Sequence, residues 1–302
     1  MGESIREAQE SWSLPEIKPF YSTNFGSAYL GDALELLRLL APESVDLIIT
    51  SPPFALTRKK EYGNVEADEY LHWFEPFAHE FWRVLAPTGS LVIHIGGSWV
   101  KGKPKKALYN FELLIYLSRK FTFVQDFYWH NPAKLPTPAE WVTVRRIRVK
   151  DAVDPIWWFA KDTHPKADNW QIIKPYSDSM IELINKGYKA KLRPSGHQIS
   201  TKFQRDRGGA IPSNLLVFAN TDSNSRYLKG CHKSGLKPNP ARYPSGIPEF
   251  FIKFLTNEGD KVLDPFGGSN VTGEMAEKFR RRWMCFEINE EYLKGSRFRF
   301  LD

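Results

Sequence analysis

The stretch "KVLDPFGGSNVTG", Lys261 to Gly273, runs from a short apolar strand through a glycine-rich turn into a helix. Gly267 and Gly268 permit positive φ and close approach of a ligand to the backbone, while Ser269 and Asn270 can cap the helix that follows. The turn lacks the GxGxxG spacing of dinucleotide sites and the GKS or GKT ending of a phosphate cradle, so neither a dehydrogenase nor phosphate binding is favoured. Further on, "RWMCFEI" (282–288) reads as the next strand, with Glu287 near its end. A carboxylate about 20 residues beyond such a turn can accept two hydrogen bonds from a ribose diol. Turn and carboxylate together point to an adenosine-type ligand.

Sites of this kind lie at a switch point, where strands depart in both directions from the first strand. Only two strands are legible at this end of the chain, so the remaining neighbours must come from the N-terminal half. That half alternates: "GDALELLRLL" (31–40) has helical spacing, "VDLIIT" (45–50) reads as a buried strand, 68–85 as a helix and "GSLVIHIG" (89–96) as another buried strand. A helix over 107–119 and the aromatic strand "FVQDFYWH" (123–130) follow. Continuous apolar runs between helices predict a parallel sheet covered on both faces. The first strand ends in "IITSPPFAL" (48–56), where two prolines stop it abruptly because proline has fixed φ and no amide donor. The Ser51 hydroxyl, two stiff carbonyls and the Phe54 ring then crowd one corner, beside the glycine-rich turn. The order, corner first and turn last, is that of a circularly permuted wound sheet.

The chain has 302 residues, enough for a full core without staples. Its two cysteines, Cys231 and Cys285, exclude a disulfide framework, and no cysteine or histidine cluster has metal-ligand spacing, so no metal site is expected. The N-terminus is charged and no run approaches the roughly 18–20 apolar residues of a membrane span, which predicts a cytoplasmic protein. Lysine and arginine number 42 against 35 acidic residues, a net charge of +7 that suits a polyanion and equally suits an ordinary basic enzyme. Basic clusters at "RKK" (58–60), "KGKPKK" (101–106), "RRIRVK" (145–150) and "KAKLR" (189–193), with aromatics in "FYWHNP" (127–132) and "WW" (157–158), suit phosphates and unstacked bases. Trp157 and Trp158 fit a core equally well.

"TSPPF" and "DPFGGSN", in that order, resemble the paired motifs of the β class of amino-methylating DNA methyltransferases. "SPPFALTRKKEYGN", "FYWHNPAKLPTPAEW", "RRIRVKDAV", "RPSGHQI", "GGAIPSNLL" and "NPARYPSGIPEFFI" extend the resemblance over nearly the whole chain, to the PvuII-type N4-cytosine branch of that class. The resemblance implies an α/β fold, a circularly permuted Rossmann-like S-adenosylmethionine-dependent methyltransferase with a seven-stranded mixed sheet flanked by helices and a target-recognition insertion. It implies transfer of methyl from S-adenosylmethionine to the N4 amine of cytosine in a short, palindromic double-stranded DNA site by base flipping. It implies further a monomer on DNA, and a cognate restriction endonuclease that shares the site. An adenine-N6 enzyme and a catalytically inactive DNA-binding relative remain as alternatives. Methylation at C5 is disfavoured, because its cysteine nucleophile usually follows a proline and neither cysteine here does.

The same resemblance assigns residues. Ser51 and Pro52 would hydrogen-bond the exocyclic amine, Pro53 would stiffen the corner and Phe54 would stack on the extruded base. Asp264, Phe266, Gly267, Gly268, Ser269 and Asn270 would form the cofactor turn, and Glu287 would hold the ribose. Asp32 would lie near the adenine amine, with helix capping as the rival reading, and Ala241 and Tyr243 would close over the methionine moiety. "GGSN" stands where many relatives have "GSGT", so Asn270 would alter contacts to the cofactor carboxylate. The expected division is a catalytic part over 1–154, a target-recognition region over 155–235 that includes His197 and "RDRGG" (205–209), and a cofactor-binding part of the same domain over 236–302.

Overall fold

A computed structural model describes residues 12–56, 64–187, 205–221 and 224–301. "RKK" (58–60), "KAKLR" (189–193) and His197 lie outside the described residues. The strands are β1 (Tyr21–Ser22), β2 (Gly26–Leu30), β3 (Val45–Thr50), β4 (Leu85–His94), β5 (Thr122–His130), β6 (Val153–Ala160), β7 (Leu215–Val217), β8 (Lys261–Asp264) and β9 (Arg282–Glu287). They form one sheet in the order β1-β2-β9-β8-β3-β4-β6-β5-β7. From β2 to β4 the neighbours run parallel, whereas β6 lies antiparallel between β4 and β5. The sheet is therefore mixed, as the resemblance implies and not wholly parallel as the strand pattern predicts, and it has nine strands among the described residues rather than seven. The additional two are its edges, β1 with 2 residues and β7 with 3.

β8 and β3, from opposite ends of the sequence, pair in parallel through Leu47 with Val262 and Ile48 with Leu263. This pairing is the predicted switch point, and it brings the carboxyl ends of both strands to one edge. The strand β2 escapes a reading by pattern because "GSAYL" is short and opens on glycine and serine, although Ala28 and Tyr29 are fully buried in it. β6 escapes for another reason. Its "IWWFA" run follows Asp154 and Pro155 and merges by composition into the polar stretch behind it. Trp157 and Trp158 are core residues, 3% and 5% exposed, and do not belong to a base-binding surface.

Helices α1 (Ala33–Arg38), α2 (Tyr70–Val84), α3 (Tyr109–Ser118), α6 (Gly246–Leu255), α7 (Val271–Lys278) and α8 (Glu290–Ser296) correspond to helices legible in the sequence; α4 (Asp178–Lys186) and α5 (Arg226–Lys233) do not. On α2, Tyr70, Phe74, Phe77 and Phe81 recur every three or four residues and are buried against Leu36 and Leu37 of α1 and against the sheet. Two compact units emerge: residues 1–167 with 214–302, which contain the whole sheet, and residues 168–213. The smaller unit carries α4 and a two-residue bridge between Lys174 and Ala210. The compositional boundary at 154/155 thus falls inside β6, and the separate unit is narrower than the polar stretch.

Phe159 of β6 is fully buried and pairs with Leu91 on one side and Phe123 on the other. Phe159→Ala is expected to cost about 3–5 kcal/mol of stability, read as a lowered midpoint of urea unfolding with the slope unchanged.

Candidate active site

The edge where β3 and β8 end is organised by Asp264. Its Oδ1 accepts from Thr50 Oγ1 at 2.7 Å and from the Phe266 amide at 3.2 Å, and its Oδ2 accepts from Thr272 Oγ1 at 2.7 Å and Tyr243 Oη at 3.4 Å. Burial pushes this carboxyl above its ordinary range, and these donors work against that shift. The hydrogen bonds fix the last residue of β3 to the last residue of β8, so Ser51 and the turn at Pro265 begin side by side.

From there a cleft of about 480 Å³ opens, within the usual range for small-molecule sites. Ser51, Pro52, Pro53 and Phe54 line it together with Asp32, Ala241, Tyr243, Asp264, Phe266, Gly267, Gly268, Ser269 and Glu287. The turn passes so close to β9 that a Cβ at Gly267 would lie 2.0 Å from Cys285 Sγ. Only glycine fits there. Glu287 Oε2 accepts from the Gly268 amide at 2.7 Å and its Oε1 from the Asn289 amide at 2.8 Å, which pins the carboxylate at the cleft wall. Burial raises its pKa as well. Asp32 lines the cleft and also caps α1, its Oδ1 accepting from the amides of Leu34 at 2.8 Å and Glu35 at 3.2 Å. Asp32 is thus the helix cap of the rival reading, and it lines the cleft as well.

Asn270 is the exception among the expected residues. It is fully buried at φ 54°, caps α7 by accepting from the Gly273 amide at 3.0 Å, and donates to Tyr21 Oη at 3.0 Å. Its side chain is turned into the protein, so the expectation that it alters contacts to the cofactor carboxylate is corrected: asparagine tolerates the left-handed conformation that this cap requires.

At the other end of the cleft the prolines hold the corner rigid. Tyr70 Oη donates to the Pro53 carbonyl at 2.8 Å and Asn64 Nδ2 to the Phe54 carbonyl at 2.6 Å. A Cβ at Gly96 would stand 2.6 Å from the Phe54 ring, so the bare glycine leaves room for it.

The residue that pattern reading missed is His94, the last of β4. Its Nδ1 lies 3.0 Å from Ser51 Oγ, and its ring meets those of Phe54 at 5.4 Å, Trp129 at 5.3 Å and Tyr243 at 6.1 Å, each edge-to-face. Burial lowers its pKa to about 4, helped by Lys134 and opposed by Asp154, so the ring is neutral at pH 7. Its Nε2 is buried without a hydrogen-bond partner among the described residues. A signal was present: a lone histidine in the apolar run "LVIHIG" demands a partner for its polar ring. Trp73 and Phe77, which line the cleft beside Phe266, were indistinguishable by pattern from the rest of the apolar face of α2.

Residues 45–297 match the model of a DNA methylase family, N6/N4 type. The Type II methyltransferase M.PvuII of Proteus hauseri is 51% identical over 290 residues, spanning 94% of this chain and 86% of its own. M.BamHI of Bacillus amyloliquefaciens is 30% identical over 297 residues, spanning 93% of this chain and 59% of its own. Among solved structures, the cytosine-N4-specific PvuII DNA methyltransferase superposes with a TM-score of 0.78 at 45% identity, covering 95% of this chain and 90% of that one.

His94 binds its proton more weakly when folded than the roughly 6.5 of a free imidazole. Between pH 6.5 and about 4 the unfolded chain therefore holds more protons, and stability falls as pH drops through that window. Buried Asp264 and Glu287 act with the opposite sign, because their folded pKa values are raised. Thermal unfolding of wild type and His94→Gln from pH 7 to 4.5 should show the variant losing less stability on acidification than the wild type.

Proposed function

Since the chain belongs to the N6/N4 family of DNA methylases, we propose that it methylates the N4 amine of a cytosine in a short, palindromic double-stranded DNA site, with S-adenosylmethionine as the methyl donor. The observation that carries this reading is the single cleft joining the Ser51 corner to the Gly267–Glu287 cradle.

The residues present suit that cofactor. Glycine 267 leaves the close approach that a nucleoside needs, Glu287 sets a fixed carboxylate for a ribose diol, and Trp73, Phe77 and Phe266 form an apolar wall beside Asp32. Ala241 and Tyr243 bound the same space from the segment before α6. When bound, the cofactor supplies a methyl group on a sulfonium, open to attack by an amine lone pair.

The other side of the reaction belongs to the corner. Phe54 stacks on a flipped base and offsets part of the few kcal/mol lost in unstacking. Ser51 Oγ and the Pro52 carbonyl accept the two N–H groups of the amine, which turns its lone pair out of the ring system. For Ser51 to accept, its own proton must point elsewhere, and neutral His94 Nδ1 takes it when the ring proton resides on Nε2. Rate enhancement then comes from positioning and from fixed dipoles.

Serine at the head of Ser51–Phe54 and the cytosine-N4 specificity of the 45%-identical PvuII enzyme favour cytosine over adenine. Methylation at C5 has no nucleophile here, since Cys231 and Cys285 are both fully buried, neither lines the cleft, and burial holds the Cys285 thiol well above its ordinary pKa. We assign target recognition to the unit of residues 168–213, which includes "RDRGG". Exposed cations at Lys101, Lys103, Lys105, Arg145, Arg146 and Lys150 suit the phosphate backbone. The enzyme acts as a monomer in the cytoplasm and shares its site with a cognate restriction endonuclease; among the described residues no helix is long and apolar enough to cross a membrane.

Single-molecule sequencing of DNA from cells expressing the protein, with nucleoside analysis of the same DNA, should show N4-methylcytosine in one short context; N6-methyladenine as the only product would establish the adenine reading instead. Ser51→Ala should lose methyl transfer by about 100-fold or more while binding S-adenosylmethionine like wild type. DNA affinity should fall steeply between 50 and 200 mM salt, as filter binding or anisotropy would report.

A further inference from the structure

A second polar group lines the cleft beyond His94. Lys134, in the loop after β5, donates to Asp154 Oδ1 and Oδ2 at 2.8 Å each, with 26% and 16% of the two side chains exposed. The β5–β6 ladder sets Asp154 directly opposite Trp129, whose ring lies 5.3 Å from His94, the partner of Ser51. From Ser51 the cleft floor therefore runs through His94 and Trp129 to the ion pair. The loop is held from several sides: the Lys134 amide donates to the Asn131 carbonyl, and Asn131 Oδ1 accepts from the amides of Ala133 and Asn220.

We propose that the Lys134–Asp154 pair reads the pyrimidine edge of the flipped base, Lys134 donating to its O2 and so selecting cytosine over adenine. The inference deepens the proposed function and rests on it.

The chemistry of the two bases supplies the selection. With the amine fixed at Ser51, the edge of cytosine continues through N3 to O2, both acceptors. Adenine in the same seat offers N1 and then a carbon-bound hydrogen. A lysine ammonium has three donors, and Asp154 takes two, leaving one for the base. Adenine would leave that donor facing a C–H group.

The carboxylate has its own part. Methyl transfer builds positive charge on the amine, and an unpaired lysine nearby would oppose it. Paired with Asp154, Lys134 presents a donor with little net charge. The plain alternative is an ion pair that only anchors the loop, and the test separates the two.

Duplex oligonucleotides carrying the site mapped by sequencing, with either cytosine or a mispaired adenine at the target position, are methylated under single turnover. Lys134→Met should lower the cytosine-to-adenine rate ratio by about tenfold or more. The double variant Lys134→Met with Asp154→Asn, which strands no carboxylate, should show the same fall, and Lys134→Arg should keep the ratio. S-adenosylmethionine binding, measured in parallel, should be unchanged in all three. Equal loss on both bases, or an unchanged ratio in Lys134→Met, overturns the inference while leaving the proposed function standing. Wild-type enzyme that makes N6-methyladenine and no N4-methylcytosine overturns the proposed function and this inference with it.

Discussion

The carboxylate of Asp264 lies where two parallel strands from opposite ends of the chain finish side by side, and it is bonded to both. Thr50 closes β3 onto it, while Phe266 and Thr272 bring in the turn and α7, and Tyr243 brings in the segment before α6. A buried carboxylate is costly unless such donors surround it, so the same hydrogen bonds that satisfy Asp264 hold the Ser51 corner against the glycine-rich turn. In the proposed reaction this knot sets the distance between the methyl donor and the flipped amine.

Around it the two halves of the site are stiffened by different means. The cradle is narrow because backbone meets side chain without a Cβ between them, as at Gly267 against Cys285. The corner is stiff because two prolines remove torsional freedom and Tyr70 and Asn64 anchor the carbonyls that follow. His94 adds a neutral acceptor to a wall that is otherwise aromatic. Its burial keeps it uncharged, and a positive charge there would oppose the charge that the proposed methyl transfer moves from the sulfonium onto the amine.

Much of this was legible in local pattern. "KVLDPFGGSN" with Glu287 gave the cradle, "SPPF" gave the corner, and the demand for neighbours on both sides of β8 predicted that they meet. The misses have particular causes. β2 is too short and too rich in small residues to show a period, and its burial comes from pairing with β9. β6 opens on Val153, Asp154 and Pro155, so its apolar run looked like the start of the polar segment. Trp157 and Trp158 could be told from base-stacking aromatics only once the ladder put both inside.

What the sequence determined by itself is what depends on covalent order: where strands stop, where the backbone can turn tightly, which oxygens and rings stand within a few residues of one another. Tertiary structure decided what depends on meeting across the sheet. The Ser51–His94 bond, the Lys134–Asp154 pair and the turning of Asn270 into the core each join residues whose partners are distant in sequence. Amphipathic period and turn propensity report only a residue's own neighbourhood, whereas these contacts exist because β3, β4, β6 and β8 deliver their ends to one edge of a single sheet.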